Sequence, residues 1–257
     1  MKKNVKLKLI VLSMSVVFAA CNGDQTKSVT ATDSTTNKSA AESPSKNEVR
    51  DAVTVAPDRY KVVKDTMGIR VLELTYKPGD SSAMHSHPDN VLYVVEGGKS
   101  QFTMQDGSKQ EYEIPAGVAM ILPGGVHSVK NIGTTTTKSI LIEVNRPDKA
   151  GAAQDPAMEA TKVAPNHYKL IKDTMNLRVL MATYKPGESS GMHSHPDQAI
   201  YVIEGSESEF TDKDGSKHTM TMAKGDVRII PGPATHSAKN IGKTTMKVLI
   251  VEVNRPN

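Results

Sequence analysis

The chain has 257 residues, of which 37% are hydrophobic, with no tryptophan, a single cysteine and a formal net charge of +4. One cysteine excludes an intrachain disulfide, and its position at residue 21, ahead of any folding pattern, excludes a catalytic thiol in a folded domain. The positive charge is local: Lys2, Lys3, Lys6 and Lys8 account for it, and the remainder is formally neutral, without the basic, aromatic-interleaved stripe that grips nucleic acid.

In chain order, the basic start runs into an apolar stretch from Leu9 to Ala20, which has the anatomy of a secretory signal and is too short for an ordinary spanning helix. It ends at Phe18-Ala19-Ala20-Cys21, which resembles the bacterial lipoprotein signal, where small residues precede a cysteine that is lipidated. That resemblance implies a signal peptide over 1–20, a lipid on Cys21, and a bacterial cell-envelope protein anchored to a membrane and facing the periplasm or exterior. From Asn22 to about Arg50 the composition is Ser, Thr, Asn, Lys, Asp and Ala, too poor in large apolar side chains to fold. As a tether (21–54 with the cysteine) it has a reach of roughly 30 Å.

Two copies of one module follow, 55–147 and 161–257, joined by a linker at 148–160. Lys64-Asp65-Thr66-Met67 recurs as Lys172-Asp173-Thr174-Met175, Thr75-Tyr76-Lys77-Pro78-Gly79 as Thr183-Tyr184-Lys185-Pro186-Gly187, and Tyr60 as Tyr168. Each copy reads as strands. Ile69 to Tyr76, Val91 to Val95, Val118 to Leu122 and Ser139 to Val144 are short, apolar and β-branched, and turn signals separate them. Asp106-Gly107 and Asp214-Gly215 mark hairpins. Beyond the signal, no segment sustains a helical period over three turns. The fold class is therefore all-β, with each copy a sandwich or barrel.

The chemistry lies in six of the eight histidines. His85-Ser86-His87-Pro88-Asp89 with His127 is repeated as His193-Ser194-His195-Pro196-Asp197 with His236. Two histidines spaced by two on an extended segment share a face, and a third from a later strand lets three imidazoles converge on one ion at about 2.0–2.1 Å.

These spacings resemble the two motifs of the cupin superfamily, found twice, so the chain is similar to a bicupin. The first motif appears as Gly79, His85, His87 and Gly97, and as Gly187, His193, His195 and Gly205. The second appears as Gly117, Pro123, Gly125, His127 and Asn131, and as Gly225, Pro231, Pro233 in place of a glycine, His236 and Asn240. The resemblance implies two tandem double-stranded β-helix (jelly-roll-like) barrels, each binding a divalent transition metal (Fe, Mn, Ni, Cu or Zn). Where the family has a metal-binding glutamate, this chain has Asn90 and Gln198. The implied metal ligands are therefore His85, His87, Asn90 and His127, and His193, His195, Gln198 and His236. The neighbouring Asp89 and Asp197 are the alternative source of a carboxylate.

Other residues have plainer readings. Tyr93 and Tyr201 are expected in the core, Met84 and Met192 as packing, and His167 and His218 at the surface; Glu143 and Glu252, in apolar final strands, are either buried carboxylates able to serve as a general base or, the favoured reading, solvated and outward-facing. For function the resemblance leaves three readings. The chain is a metal-dependent dioxygenase or related small-molecule enzyme, a non-catalytic envelope protein that binds a metal or small ligand, or an assembly lipoprotein with vestigial sites. For the N-terminus, Cys21→Ser is expected to abolish fatty-acid labelling in cells; unchanged labelling would remove the lipoprotein reading.

Overall fold

The structure, a computed structural model, describes residues 50–145 and 155–253, so the signal, Cys21, most of the tether and part of the linker lie outside the described residues. The strands of the first copy are β1 (Tyr60–Thr66), β2 (Ile69–Tyr76), β3 (His85–His87), β4 (Asn90–Glu96), β5 (Gly98–Met104), β6 (Lys109–Ile114), β7 (Ala119–Leu122), β8 (Gly125–Asn131) and β9 (Thr137–Val144). Those of the second are β10 (Tyr168–Thr174), β11 (Leu177–Tyr184), β12 (His193–His195), β13 (Gln198–Glu204), β14 (Ser206–Asp212), β15 (Lys217–Met222), β16 (Val227–Ile230), β17 (Ala234–Asn240) and β18 (Met246–Val253). Each copy closes a five-stranded sheet, in the order β1-β2-β9-β4-β7 or β10-β11-β18-β13-β16, over a four-stranded one, β3-β8-β5-β6 or β12-β17-β14-β15. The expected all-β pair of barrels is present.

Strand alternation decides which residues enter each barrel. In β2 and β9, Ile69, Val71, Ile140 and Ile142 face away from their own barrel and pack with Leu177, Val179, Leu249 and Val251 of the second copy in one core. The intervening Leu72, Tyr76 and Leu141 line the interior of the first barrel. Leu180, Ala182, Val248 and Ile250 do the same in the second. The central strands of each five-stranded sheet are thus covered on both faces, which is why β4, β9, β13 and β18 carry apolar runs rather than clean alternations, whereas the edge strands β1 and β10 are exposed along most of their length. Tyr93 and Tyr201 belong to this inter-barrel core, with ring centroids 5.8 Å apart. They face away from the pockets, as core residues.

Two one-turn helices stand outside the strand pattern, α1 (Ala52–Val55) and α2 (Ala160–Val163), the latter preceded by a 3₁₀ turn at Pro156–Met158. A single turn is too short to leave a helical period in the sequence. Each seats a fully buried alanine, Ala52 or Ala160, in its barrel interior. The motif residues that are not histidines act on the backbone. A Cβ on Gly97 or Gly205 would stand 2.5 Å from the carbonyl oxygen of Ile114 or Met222, so only glycine fits. Asn131 and Asn240, both fully buried, donate to the carbonyls of Tyr76 and Thr135, or Tyr184 and Thr244, at 2.8 Å, and tie the turn before the last strand to the barrel.

Candidate metal centre

The short strand β3 pairs antiparallel with β8 so that His85 stands directly opposite His127, and β12 pairs with β17 so that His193 stands opposite His236. His87 and His195, two residues on, return to the same face. The ring centroids of His85, His87 and His127 are 4.8, 4.9 and 5.4 Å apart. Those of the second triad are 5.0, 4.7 and 5.6 Å apart. In each group the potential ligand atoms all lie within 4.8 Å of one another.

Hydrogen bonds choose which ring nitrogen faces the centre. His85 Nδ1 is 2.7 Å from the Ala83 carbonyl and His193 Nδ1 is 2.8 Å from that of Gly191. A carbonyl can only accept, so Nδ1 carries the proton and Nε2 is the acceptor, which meets the Tyr60 hydroxyl at 2.9 Å in the first barrel and the Tyr168 hydroxyl at 2.8 Å in the second. His87 and His195 use Nδ1 differently: it meets Glu143 Oε1 at 2.6 Å and Glu252 Oε1 at 2.7 Å. This overturns the expectation that these glutamates face solvent. Both are fully buried. Alternation puts them on the interior face, and the opposite face offers no solvent because the other barrel covers it. Each is held in turn by an arginine on the neighbouring strand. Arg70 Nε donates to Glu143 Oε2 at 2.6 Å and Arg70 also pairs with Asp51; Arg178 Nη1 donates to Glu252 Oε2 at 3.1 Å and its Nη2 reaches Glu159 at 2.5 Å. Carboxylate behind imidazole is the arrangement that fixes a metal-binding histidine's tautomer and raises its basicity.

Burial disfavours the charged form of five of the six imidazoles. Desolvation lowers His85, His193 and His195 to about 4, and lowers His127 and His236, which also feel the other two imidazoles, to about 3. Desolvation also raises Glu252 to about 7 against the pull of Arg178.

The amides at the family's glutamate position point the same way. Asn90 is on the interior face of β4 and its Nδ2 donates to the Pro88 carbonyl at 2.8 Å, while Oδ1 is buried without a hydrogen-bond partner. Gln198 Oε1 is likewise buried and without one. Leaving a buried acceptor unpaired costs about 1–3 kcal/mol, which a cation beside it would offset. Asp89 and Asp197 brace loops instead, since their Oδ1 atoms accept from the backbone N–H of Gly124 and Gly232, both at 2.7 Å. The residues present therefore fit three imidazoles plus an amide carbonyl. Carboxylates stand one layer further out.

A cavity of about 210 Å³ opens onto the second triad, lined by His195, Gln198 and His236 with apolar Ile200, Phe210 and Met220. Its rim carries Asp212, His218 and Arg228. His218 is exposed, as expected, yet it pairs with Asp212 at 3.3 Å and stacks on Phe210. His167 is half-buried rather than on the open surface, stacked on Tyr184 at 4.2 Å. Motif spacing alone does not single out Arg70 and Arg178, nor the partnership of Glu143 and Glu252 with histidine. The signal is nonetheless present, because all four recur within the repeat.

Two measurements probe this centre. Glu143→Gln combined with Glu252→Gln is expected to lower metal affinity about 10–100-fold in competition with a chromophoric chelator, and unchanged affinity would deny the carboxylates a role. For the metal-free protein, the five histidines with lowered folded-state values set the acid response. Between 6.5 and about 4 the unfolded chain takes up protons that the folded chain refuses, so stability falls with pH across that window. Glu252, raised in the folded state, opposes this between 4.5 and about 7, but it is one group against five. The urea midpoint with chelator present is expected to decline from pH 7 to pH 4.5; a flat or rising midpoint would contradict the lowered values of these five histidines.

Comparison with known proteins agrees with the geometry. The cupin domain model matches residues 72–143 and 180–252, more than half of the chain. Comparison with curated proteins finds no match. Among solved structures, a tryptophan variant of Bacillus subtilis oxalate decarboxylase aligns at 15% identity with a TM-score of 0.56, covering 76% of this chain and 72% of that one. A second structure of the same enzyme, from work on its Mn(II) centers, aligns at 16% identity and a TM-score of 0.53, covering 74% and 70%. At that identity the likeness is one of fold. With the family model matched once in each barrel, the chain belongs to the cupin domain family and is a bicupin.

Proposed function

We propose that this bicupin binds a divalent transition metal in each barrel, through His85, His87, His127 and Asn90 in the first and His193, His195, His236 and Gln198 in the second, and that the second barrel acts on a small molecule. The observation that carries the reading is the pair of converging histidine triads, each accompanied in its barrel by a buried, unpartnered amide oxygen. The Mn(II) centers of the similarly folded oxalate decarboxylase support a divalent metal. When bound, the metal supplies a Lewis acid with positions open to a ligand, the property on which a metal-dependent dioxygenase or related enzyme depends. The protein's own part is to hold three imidazoles in each barrel, to orient two of each triad through Nδ1, and to line the inner pocket of the second barrel with apolar Ile200, Phe210 and Met220.

The second barrel is favoured for the small molecule because of its cavity. At about 210 Å³ it is below the size of drug-binding pockets, so the ligand is small. Arg228 Nε is buried at its edge without a hydrogen-bond partner, which suits a polar ligand. Anchoring through a lipid on Cys21 would place this activity at the cell envelope, and the sequence pattern at residues 18–21 is its support.

Metal analysis of the full chain grown in metal-replete medium is expected to give about one ion per barrel, falling to half in His127→Ala or His236→Ala and to none in the double variant. Less than about a tenth of an ion per barrel in the unaltered protein would end the metal reading. With metal confirmed, oxygen consumption on phenolic, thiol and acidic substrates is expected to fall in His236→Ala. Activity that survives this change would move the chemistry elsewhere.

A further inference from the structure

Arg228 stands on β16, where the register sets it opposite Ile200 of β13, two residues from the facing pair Ile230 and Gln198. Strand alternation gives these four residues one face, and all of them line the cavity of the second barrel. Two residues along a strand span about 6–7 Å, so the arginine is rooted within a side chain's reach of the amide beside the triad. The first barrel has no such group, because Met120 faces Leu92 at the corresponding place.

The guanidinium is poorly compensated for a group at this depth. Arg228 Nε is buried without a hydrogen-bond partner, while Nη2 is 3.5 Å from the Thr221 carbonyl and 3.9 Å from Asp226 Oδ2, an oxygen that already accepts from the Ala223 N–H at 3.0 Å. Arg59, Arg70 and Arg178, by contrast, each meet a carboxylate at 2.9, 2.6 and 3.1 Å. The other ionisable groups of the rim satisfy one another. His218 meets Asp212 Oδ2 at 3.3 Å, and the Ser216 hydroxyl donates to the same oxygen at 3.3 Å. The rim therefore offers an open site for an anion rather than for a cation. A buried N–H with no acceptor is costly, and Nε with an adjacent Nη forms the planar edge that meets both oxygens of a carboxylate at once.

Resting on the reading that the second barrel acts on a small molecule, we infer that its ligand is a short-chain monocarboxylate, held by Arg228 through both carboxylate oxygens, with its hydrocarbon body against Ile200, Phe210 and Met220. The acid group lies on the arginine, so the hydrocarbon end is the one presented to His195, Gln198 and His236. The first barrel, with Met120 in that place, does not share the preference.

Calorimetric titration of the full chain at neutral pH, with its metal content measured, tests this with butyrate and hexanoate and with their primary amides. One acid is expected to bind per chain, and its amide about 10–100-fold more weakly. Arg228→Met, which puts the first barrel's residue into the second, is expected to weaken the acid by about the same factor and to leave the amide unchanged. Arg228→Lys keeps the charge but loses the planar fork, and is expected to fall between. Should Arg228→Met melt early, Arg228→Lys and the comparison of acid with amide decide. Amides that bind as tightly as the acids, or acid binding that Arg228→Met leaves intact, would overturn the role of the arginine while the small-molecule reading stands. If that surviving binding disappears together with the metal in His236→Ala, the carboxylate sits on the metal instead. Neither acid nor amide bound to the unaltered protein would overturn both readings of the cavity, whatever its metal content.

Discussion

The hydrogen bond from a buried histidine to a buried glutamate, His87 to Glu143 and His195 to Glu252, is the interaction on which the rest of each barrel's site depends. A carboxylate fully removed from water is tolerable only when its charge and lone pairs are met. Here one oxygen meets an imidazole N–H and the other an arginine, Arg70 or Arg178, whose far side meets an acidic residue just outside the first helical turn. The result is a chain of alternating donors and acceptors running from Asp51 or Glu159, at the barrel's edge, to the imidazole at its centre. It ties the segment that enters each barrel to the residues that form the site.

The same chain supplies a buried carboxylate beside each triad although the position opposite it in the sheet is an amide. At that position Asn90 and Gln198 offer only neutral oxygens, and a carboxylate pairs instead with the back of an imidazole. Glu143 lies opposite Asn90 in the sheet register, and Glu252 opposite Gln198. A carboxylate therefore stands one strand across from each amide, as the hydrogen-bond partner of His87 or His195.

Much of this is legible in the sequence, for identifiable reasons. The repeat, the strands and the triads are encoded in local spacing: His85 and His87 share a face because strands alternate, and turn chemistry at Asp106-Gly107 returns the chain for the next strand. Glu143 and Glu252 escape a reading by pattern because strand alternation tells which residues share a face and not what lies against it. A charged residue in a half-covered sheet belongs outside, and only the packing of one barrel on the other, through Ile69, Val71, Leu249 and Val251, turns that rule over. Asp89 and Asp197 illustrate the complementary limit. They are adjacent in sequence to the ligand positions, yet Pro88 and Pro196 carry them to the loop amides of Gly124 and Gly232.

What separates the barrels is their rims. Strand register makes the comparison direct, since the residue opposite the third histidine is Met104 in one barrel and Asp212 in the other. The residue opposite the phenylalanine is Gln110 or His218. The residue facing Leu92 is Met120, whereas Arg228 faces Ile200. The triads, their glutamates and arginines, and the two buried tyrosines are kept alike in both barrels, while three rim positions pass from neutral to ionisable or charged. On the proposed reading the shared inner residues would hold a metal in each barrel, and the positions that differ would set which molecule reaches it.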